Sequence, residues 1–510
     1  MSLTQEYLQR TLLSKVYDVA KQTELQTLKK LSQRFACQIQ LKREDQQPVH
    51  SFKLRGAYNC IAHLDKETLK NGVVAASAGN HAQGVALAAT SRQCNAVIVM
   101  PTTTPEIKVE AVKRFGGEVV LHGDSFDQAN DHAKQLAEEH GRAYIHPFDD
   151  PDVIAGQATV AQEMVQQNRQ LECVFVPVGG GGLVAGMAAY YKALLPHVKV
   201  IGVEPHDSSC LKAALEHGAP VNLEQVGLFA DGVAVKRIGS NTFKIAQHCV
   251  DSVITVSSDE ICAAVKDIFE DTRAIAEPSG ALALAGLKKY LNESDGSVTQ
   301  VAAVLSGANV NFHSLRYVSE RCELGEGKEA VLAVTIPERA GSFLSFCKLL
   351  GGRAVTEFNY RFADREGAQI FVGLRLGQAA DELPKVIELL RQNHYPVTDL
   401  TQDEIAKQHI RYMVGGCPPT PISERLYSFE FPESPGALFT FLSTLGHRWN
   451  ITLFHYRNHG AAYGRVLVGF ETRESDQKEF MQFLDELGLV YRDESDSPAY
   501  RLFLNQASKH

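Results

Sequence analysis

No two cysteines of this chain are spaced as a CxxC pair. The ten stand singly, at positions 37, 60, 94, 173, 210, 249, 262, 322, 347 and 417, several in apolar runs where a thiol acts as a small hydrophobe. That argues against a zinc site and for a reducing compartment. Basic clusters are missing too: Lys and Arg total 51 against 60 Asp and Glu, a net charge of −9. A mildly acidic surface repels nucleic acid and anionic lipid, so neither is expected as a partner. No apolar run approaches the roughly 20 residues of a membrane helix. The opening Met-Ser-Leu-Thr-Gln-Glu-Tyr lacks a basic stretch followed by an apolar one, so no secretory signal is read. The expectation is a soluble, cytoplasmic protein.

What is present is ordinary globular sequence: 510 residues, 44 % hydrophobic and 22 % charged. That length implies two to four domains. Up to about residue 325, short β-branched runs (Val73–Ala76, Ala96–Met100, Val174–Val178, Lys199–Val203, Gln300–Leu305) alternate with helical periodicity, as over Asp127–His140 and Asp259–Asp271. Such alternation predicts a parallel sheet wrapped on both faces.

Beyond that point a repeat appears. Ile336-Pro337-Glu338-Arg339-Ala340-Gly341-Ser342-Phe343 is echoed by Phe431-Pro432-Glu433-Ser434-Pro435-Gly436-Ala437-Leu438, Phe358-Asn359-Tyr360-Arg361 by Phe454-His455-Tyr456-Arg457, and Phe371-Val372-Gly373 by Leu467-Val468-Gly469. Each copy reads as strand, turn, helix, strand, strand, second helix (Leu383–Asn393 and Gln477–Leu487) and a closing strand. Alone, each copy is short of core, so the two are expected to pair. The stretch 402–424, rich in Gly and Pro, reads as their connection.

Three unusual loops follow predicted strands: Ser77-Ala78-Gly79-Asn80-His81, Gly179-Gly180-Gly181-Gly182-Leu183, and Ser306-Gly307-Ala308-Asn309. In a doubly wound sheet the carboxyl ends of the strands are where ligands bind. Four glycines let backbone amides wrap an anion, and a helix over Leu183–Leu195 would aim its positive end there. A tight strand-to-helix turn is the plainer reading of the same run. It is not a GxGxxG fingerprint, so a nicotinamide fold ranks lower.

Lys53, in Ser51-Phe52-Lys53-Leu54-Arg55-Gly56-Ala57, is either a solvated surface lysine or an amine able to form a Schiff base. Phe52 could stack on an aromatic ring, and Ser51 is a helix-cap residue. Asn80 is a turn residue or a donor to a phenolate oxygen; Ser306 is an end-of-strand hydroxyl or a partner for a pyridine nitrogen. His81 and His50 receive no role. Glu277 either faces the same ligand or sits as a charge at a helix N-terminus.

As a set, and in this order, SFKLRGA, SAGNHAQG, VPVGGGGL and LSGAN resemble the pyridoxal-phosphate enzymes of the tryptophan-synthase-β type (fold type II). The duplicated tail resembles the tandem ACT-like region of the biosynthetic threonine deaminases, and the likeness spans roughly residues 10–500. It implies an α/β fold of two doubly wound subdomains followed by two α+β ACT-like units. The implied boundaries are 1–325 for the catalytic domain, 330–402 and 425–495 for the regulatory units, and 403–424 for the connection.

The resemblance further implies that Lys53 binds pyridoxal 5'-phosphate as a Schiff base and is the catalytic residue, with Phe52 beside the cofactor. Asn80 would take its 3'-oxygen, the amides of Gly179, Gly180, Gly181, Gly182 and Leu183 its phosphate, and Ser306 its ring nitrogen. Ser77, Ala78, Gly79 and Asn80 would hold the substrate carboxylate. No metal is implied. The implied reaction is deamination of L-threonine to 2-oxobutanoate and ammonia, the committed step of isoleucine synthesis, with L-serine as a secondary substrate. Isoleucine would inhibit, valine would oppose it, and the chain would form a homotetramer, with which apolar faces around Phe358 and Phe454 are compatible. A neutral serine at the ring nitrogen favours β-elimination over a long-lived carbanion. The alternatives are another β-eliminating enzyme of this fold and a non-catalytic amino-acid sensor. The duplicated tail weighs against the first, and Lys53, Asn80 and Ser306 together weigh against the second.

Overall fold

A computed structural model describes residues 2–504 except 313, 352, 364–366, 378–381, 419–421, 433–436, 446–447 and 458–462. The chain forms two compact units, Met1–Gly325 and Glu326–His510.

The first unit holds two sheets. The larger contains β1 (Leu25–Thr27), β2 (Gln38–Arg43), β7 (Cys173–Pro177), β8 (Lys199–Pro205), β9 (Ser252–Val256) and β10 (Gln300–Leu305), in the order β1-β2-β10-β7-β8-β9. The smaller contains β3 (Val73–Ala76), β4 (Ala96–Met100), β5 (Glu118–Leu121) and β6 (Ala143–Tyr144), in the order β5-β4-β3-β6. All pairs are parallel except β1 with β2. The spans read from sequence for β3, β4 and β10 coincide with those observed. β7 sits one residue earlier than expected, and β8 runs on to Pro205.

Burial on both faces explains why these strands read as unbroken apolar runs. Helices Lys53–His63 and Asn80–Ser91 cover one face of the small sheet through Leu54, Val85 and Ile98, and Phe126–His140 covers the other through Ala129 and Ala133. On the large sheet, Pro151–Gln167, Gly182–Leu194 and Ser240–Cys249 share one core, and Ser258–Thr272 and Pro278–Glu293 share the other. Local chemistry sets the starts. Asp150 accepts from the amides of Asp152 and Val153, and Pro151 suits the first turn, where its missing N–H costs no bond. Ser257 and Glu260 form a reciprocal capping box.

The second unit is one eight-stranded sheet. Its strands are β11 (Glu329–Pro337), β12 (Val355–Arg361), β13 (Gly367–Arg375), β14 (Val397–Asp399), β15 (Glu424–Pro432), β16 (Asn450–Arg457), β17 (Tyr463–Glu471) and β18 (Tyr491–Asp493). The order is β14-β11-β13-β12-β16-β17-β15-β18, so each copy contributes four strands and the copies join at β12 and β16. The echoed tetrapeptides are the join itself: Phe358 faces Tyr456, Asn359 faces His455 and Tyr360 faces Phe454. Bulges recur at equivalent places, between Val355 and Glu357 and between Ile451 and Leu453. The helices are Ser342–Leu349 and Glu382–Gln392 in one copy, Ala437–Leu445 and Gln477–Leu487 in the other. The connection carries a short helix, Glu404–Gln408. The second Pro/Gly turn at 433–436 and Pro419–Pro421 of the connection lie outside the described residues.

One expectation is corrected. Phe358 and Phe454, read as faces for another subunit, are each 1 % exposed, and their ring centroids lie 5.4 Å apart in the chain's own core. The repeat supplies its own partner for these side chains. Among the described residues no helix is long and apolar enough to cross a membrane.

Candidate active site

The three loops leave the carboxyl ends of β3, β7 and β10, and a fourth segment is pinned to them. Ser51 bridges to Gly307, the Phe52 amide donates to the Ser306 carbonyl at 3.2 Å, and the Ala308 amide donates to the His50 carbonyl at 2.9 Å. This strand-like pairing brings Lys53 beside Ser306. It also removes the expected cap. Ser51 is held one residue too early, Phe52 takes the cap position without a side-chain bond, and Ser51 Oγ is buried without a partner.

Two residues past Lys53, the fully buried Arg55 anchors the helix. It donates twice to the Glu44 carboxylate (2.7 and 2.8 Å) and once to Glu163 (2.6 Å), which also accepts from the buried Lys42 at 2.6 Å. Two cations and two anions are thus balanced in the interior, as buried charges require.

Lys53 Nζ donates to the Pro147 carbonyl at 3.0 Å and lies 5.4 Å from the centre of the Phe52 ring. The residue is half-buried, and no carboxylate forms an ion pair with it among the described residues. Loss of hydration brings its pKa down to about 8, the charge of Glu277 opposing the shift.

The segment carrying Pro147 ties the site together. His81 Nε2 donates to the Ile145 carbonyl at 2.9 Å, and His146 Nδ1 accepts from the amides of Phe148 and Asp149. Asp149 in turn accepts from the amides of Ser240, Asn241 and Thr242. His81 is held neutral, its pKa pushed down to about 3 by burial and then by Lys53.

Phe148 lies on the glycine run. A Cβ on Gly180 would stand 2.1 Å from its ring, and Gly181 has φ +89° with Ile238 and Thr242 too close for a side chain. The following helix starts at Gly182, inside the run rather than after it. Its first amides have no acceptor within the helix.

Asn80 opens its helix with its carboxamide already committed. Nδ2 donates to Glu277 Oε1 at 2.6 Å, and Oδ1 accepts from Asn309 Nδ2 at 2.7 Å. Glu277 stands at the N-terminus of the helix Pro278–Glu293 without a cap bond, and its carboxylate also meets Asn80, so both sequence readings of this residue describe its place. Burial raises its pKa to about 7. Ser77 Oγ accepts from the Gly79 amide at 3.2 Å, and Ala78 packs on the small-sheet core. Ser306 is buried, and its hydroxyl donates to the Ser279 carbonyl at 3.3 Å. All the residues named from sequence therefore border one region. Asn309 and the 145–149 segment were not singled out, since their contacts are long-range.

The arrangement fits a phosphorylated aldehyde. Among the described residues an amine of reduced basicity stands without a carboxylate in ion-pair contact, a side-chain-free turn opens onto a helix start, and Ser51 Oγ, Ser279 Oγ and His81 Nδ1 are buried polar atoms without partners.

Comparison with known proteins agrees. Residues 16–307 match the family model described as pyridoxal-phosphate dependent enzyme, and residues 320–410 and 415–504 match the C-terminal regulatory domain of threonine dehydratase. The chain is 59 % identical over 499 residues to L-threonine dehydratase biosynthetic IlvA of Escherichia coli, covering 98 % of this chain and 97 % of that one. It is 48 % identical over 516 residues to the mitochondrial threonine dehydratase of Saccharomyces cerevisiae, covering 98 % and 89 %. The solved structure of processed threonine deaminase isoform 2 from Solanum lycopersicum aligns with TM-score 0.62 and 48 % identity, over 63 % of this chain and 88 % of that one. The chain belongs to the pyridoxal-phosphate dependent threonine dehydratase family.

Proposed function

We propose that the chain dehydrates and deaminates L-threonine to 2-oxobutanoate and ammonia, L-serine being the slower substrate, and that Lys53 is the residue carrying the cofactor. The supporting observation is the meeting of Lys53, Asn80, the glycine run and Ser306 at the carboxyl ends of β3, β7 and β10. Pyridoxal 5'-phosphate bound there supplies an aldehyde that condenses with amines and a ring that acidifies the bond next to the nitrogen.

The remaining work falls to the chain. The amides of Gly179 to Leu183 bind the phosphate group, helped by the positive end of the helix starting at Gly182. Phe52 would flank the ring, Asn80 would donate to its oxygen, and the Ser306 hydroxyl would turn from the Ser279 carbonyl to the ring nitrogen without contributing charge. The Ser77–Asn80 turn orients the substrate carboxylate. Lys53 Nζ, with a pKa of about 8, is matched to accept the Cα proton near neutral pH.

The regulatory reading is that isoleucine inhibits and valine opposes it. Its support is a narrow crevice between the two copies, lined by Arg339, Phe343, Leu442, Leu445 and Trp449. A guanidinium suits a carboxylate and the leucines suit a branched side chain. Trp449 Nε1 and the neighbouring Ser342 Oγ are buried without partners. Domain limits of 1–325, 330–402 and 425–495, a cytoplasmic location and a homotetramer belong to the same proposal. The tetramer rests on the family resemblance, since Phe358 and Phe454 are internal.

An assay of 2-oxobutanoate from threonine, with and without isoleucine, tests both parts. Product formation suppressed by isoleucine is expected. Absence of product contradicts the catalytic reading, and turnover indifferent to isoleucine contradicts the regulatory one.

A further inference from the structure

A chain of hydrogen bonds leads from the backbone into the site. The Val49 carbonyl can only accept, so its 2.8 Å bond fixes which end of the Asn309 carboxamide carries the nitrogen. The same Asn309 Nδ2 donates to Asn80 Oδ1 at 2.7 Å, which fixes the Asn80 carboxamide in turn and leaves its Nδ2 to meet Glu277 Oε1 at 2.6 Å. One N–H of Asn80 Nδ2 is used by Glu277 and the other remains. Glu277 is 5 % exposed, and a Cβ on Gly307 would stand 2.4 Å from its Oε1, so the carboxyl has little room to swing.

We propose that Glu277 is a positioning residue of the reaction centre: with Asn309 it holds the Asn80 carboxamide in the one orientation that offers an N–H to the cofactor's ring oxygen, and its charge is coupled to that of Lys53. The inference rests on the pyridoxal-phosphate reading of this site. The charged groups that act on Glu277 are Lys53 from the helix Lys53–His63, Lys108 from the helix Glu106–Arg114 and Asp231 from the turn Asp231–Val233. Lys108 and Asp231 neutralise one another across a 2.6 Å ion pair, which leaves Lys53 as the cation whose proton affinity Glu277 raises against the larger effect of burial. A carboxylate there favours the protonated form of the Lys53 nitrogen, and removing the charge favours the neutral form.

The test uses the full-length chain, pyridoxal 5'-phosphate as probe, and two readouts: the dissociation constant from quenching of protein fluorescence, and the pH at which the visible band of the bound cofactor changes. Glu277→Gln keeps an acceptor for Asn80. It should bind the cofactor within about threefold of the parent while its spectral transition moves to lower pH. Glu277→Leu leaves Asn80 unanchored and should weaken binding by about tenfold or more, the loss expected for one buried hydrogen bond. Asn309→Ala removes the other anchor and should weaken binding similarly without moving the transition, which guards against a Glu277→Leu chain that does not fold. Equal affinity of the Gln and Leu variants, or an unmoved transition in Glu277→Gln, overturns the proposal. A parent chain that binds no cofactor instead overturns the reading beneath it.

Discussion

The two units of this chain anchor their key segments with different mixtures of charge and ring. In Met1–Gly325 the segment bearing Lys53 is held by buried charges, Arg55 and Lys42 against Glu44 and Glu163. In Glu326–His510 one buried ion pair, Arg361 with Glu424, also links the copies, but the join is filled chiefly by aromatic rings, Phe343, Phe358, Tyr360 and Phe454. A hydrogen-bonded ion network fixes a segment through directed contacts, whereas packed rings fix it through shape. The first unit is therefore built to place one amine, and the second is built from a repeated module whose halves meet at equivalent residues.

The sharpest break between the units is at Lys53. Lys53→Ala should lower threonine turnover on the order of 10⁴-fold, as loss of a covalent catalytic group does, with no change in the melting of the second unit. Conversely, a chain lacking residues 330–510 should keep turning over threonine and lose its response to isoleucine; retained inhibition would show that the effector acts on the first unit.

Stability sharpens the same contrast. Arg55→Leu leaves Glu44 buried without its ion-pair partner, while Glu163 keeps only Lys42 as its cation, and should cost about 3–5 kcal/mol. Phe454→Ala should cost about 3–5 kcal/mol by leaving a cavity. Calorimetry should show each variant lowering a different transition, and a single shared shift would mean that the units do not unfold separately.

A smaller effect concerns pH. Burial holds the folded-state pKa of Lys53 near 8, below the ordinary lysine value of 10.5. The free-amine fraction, and with it the rate at which apoprotein captures cofactor, should therefore rise about tenfold per unit up to pH 8 and then level off. A profile still climbing at pH 10 would mean the amine is fully hydrated. Smallest is Ser306→Asp. A carboxylate at the ring nitrogen should raise the transamination side product severalfold at the expense of elimination, measurable as pyridoxamine phosphate.

How much of this was legible in the sequence follows from the range of the contacts involved. β3, β4 and β10 were readable because a strand buried on both faces must be apolar at every position, and the glycine run because no other residue fits against Phe148 and Ile238. The repeat foretold that its copies would pair. It did not reveal that Phe358 and Phe454 pack on each other, because sequence marks a face as apolar without saying what covers it. Glu277 lies 197 residues from Asn80, and Asn309 lies 229. No local spacing connects them; they meet where the loop after β3 of the small sheet comes against the segments that flank β10 of the large one. The misplaced cap at Ser51 has the same origin, a pairing with Gly307 that no helix signal could reveal.

The account depends most on the covalent role assigned to Lys53, and borohydride reduction of the cofactor-loaded chain, followed by peptide mapping, tests it directly. A pyridoxyl label on the peptide containing Lys53 is predicted, together with loss of the visible band of the bound cofactor. A label on a different lysine, or none in a chain that still deaminates threonine, would contradict the assignment.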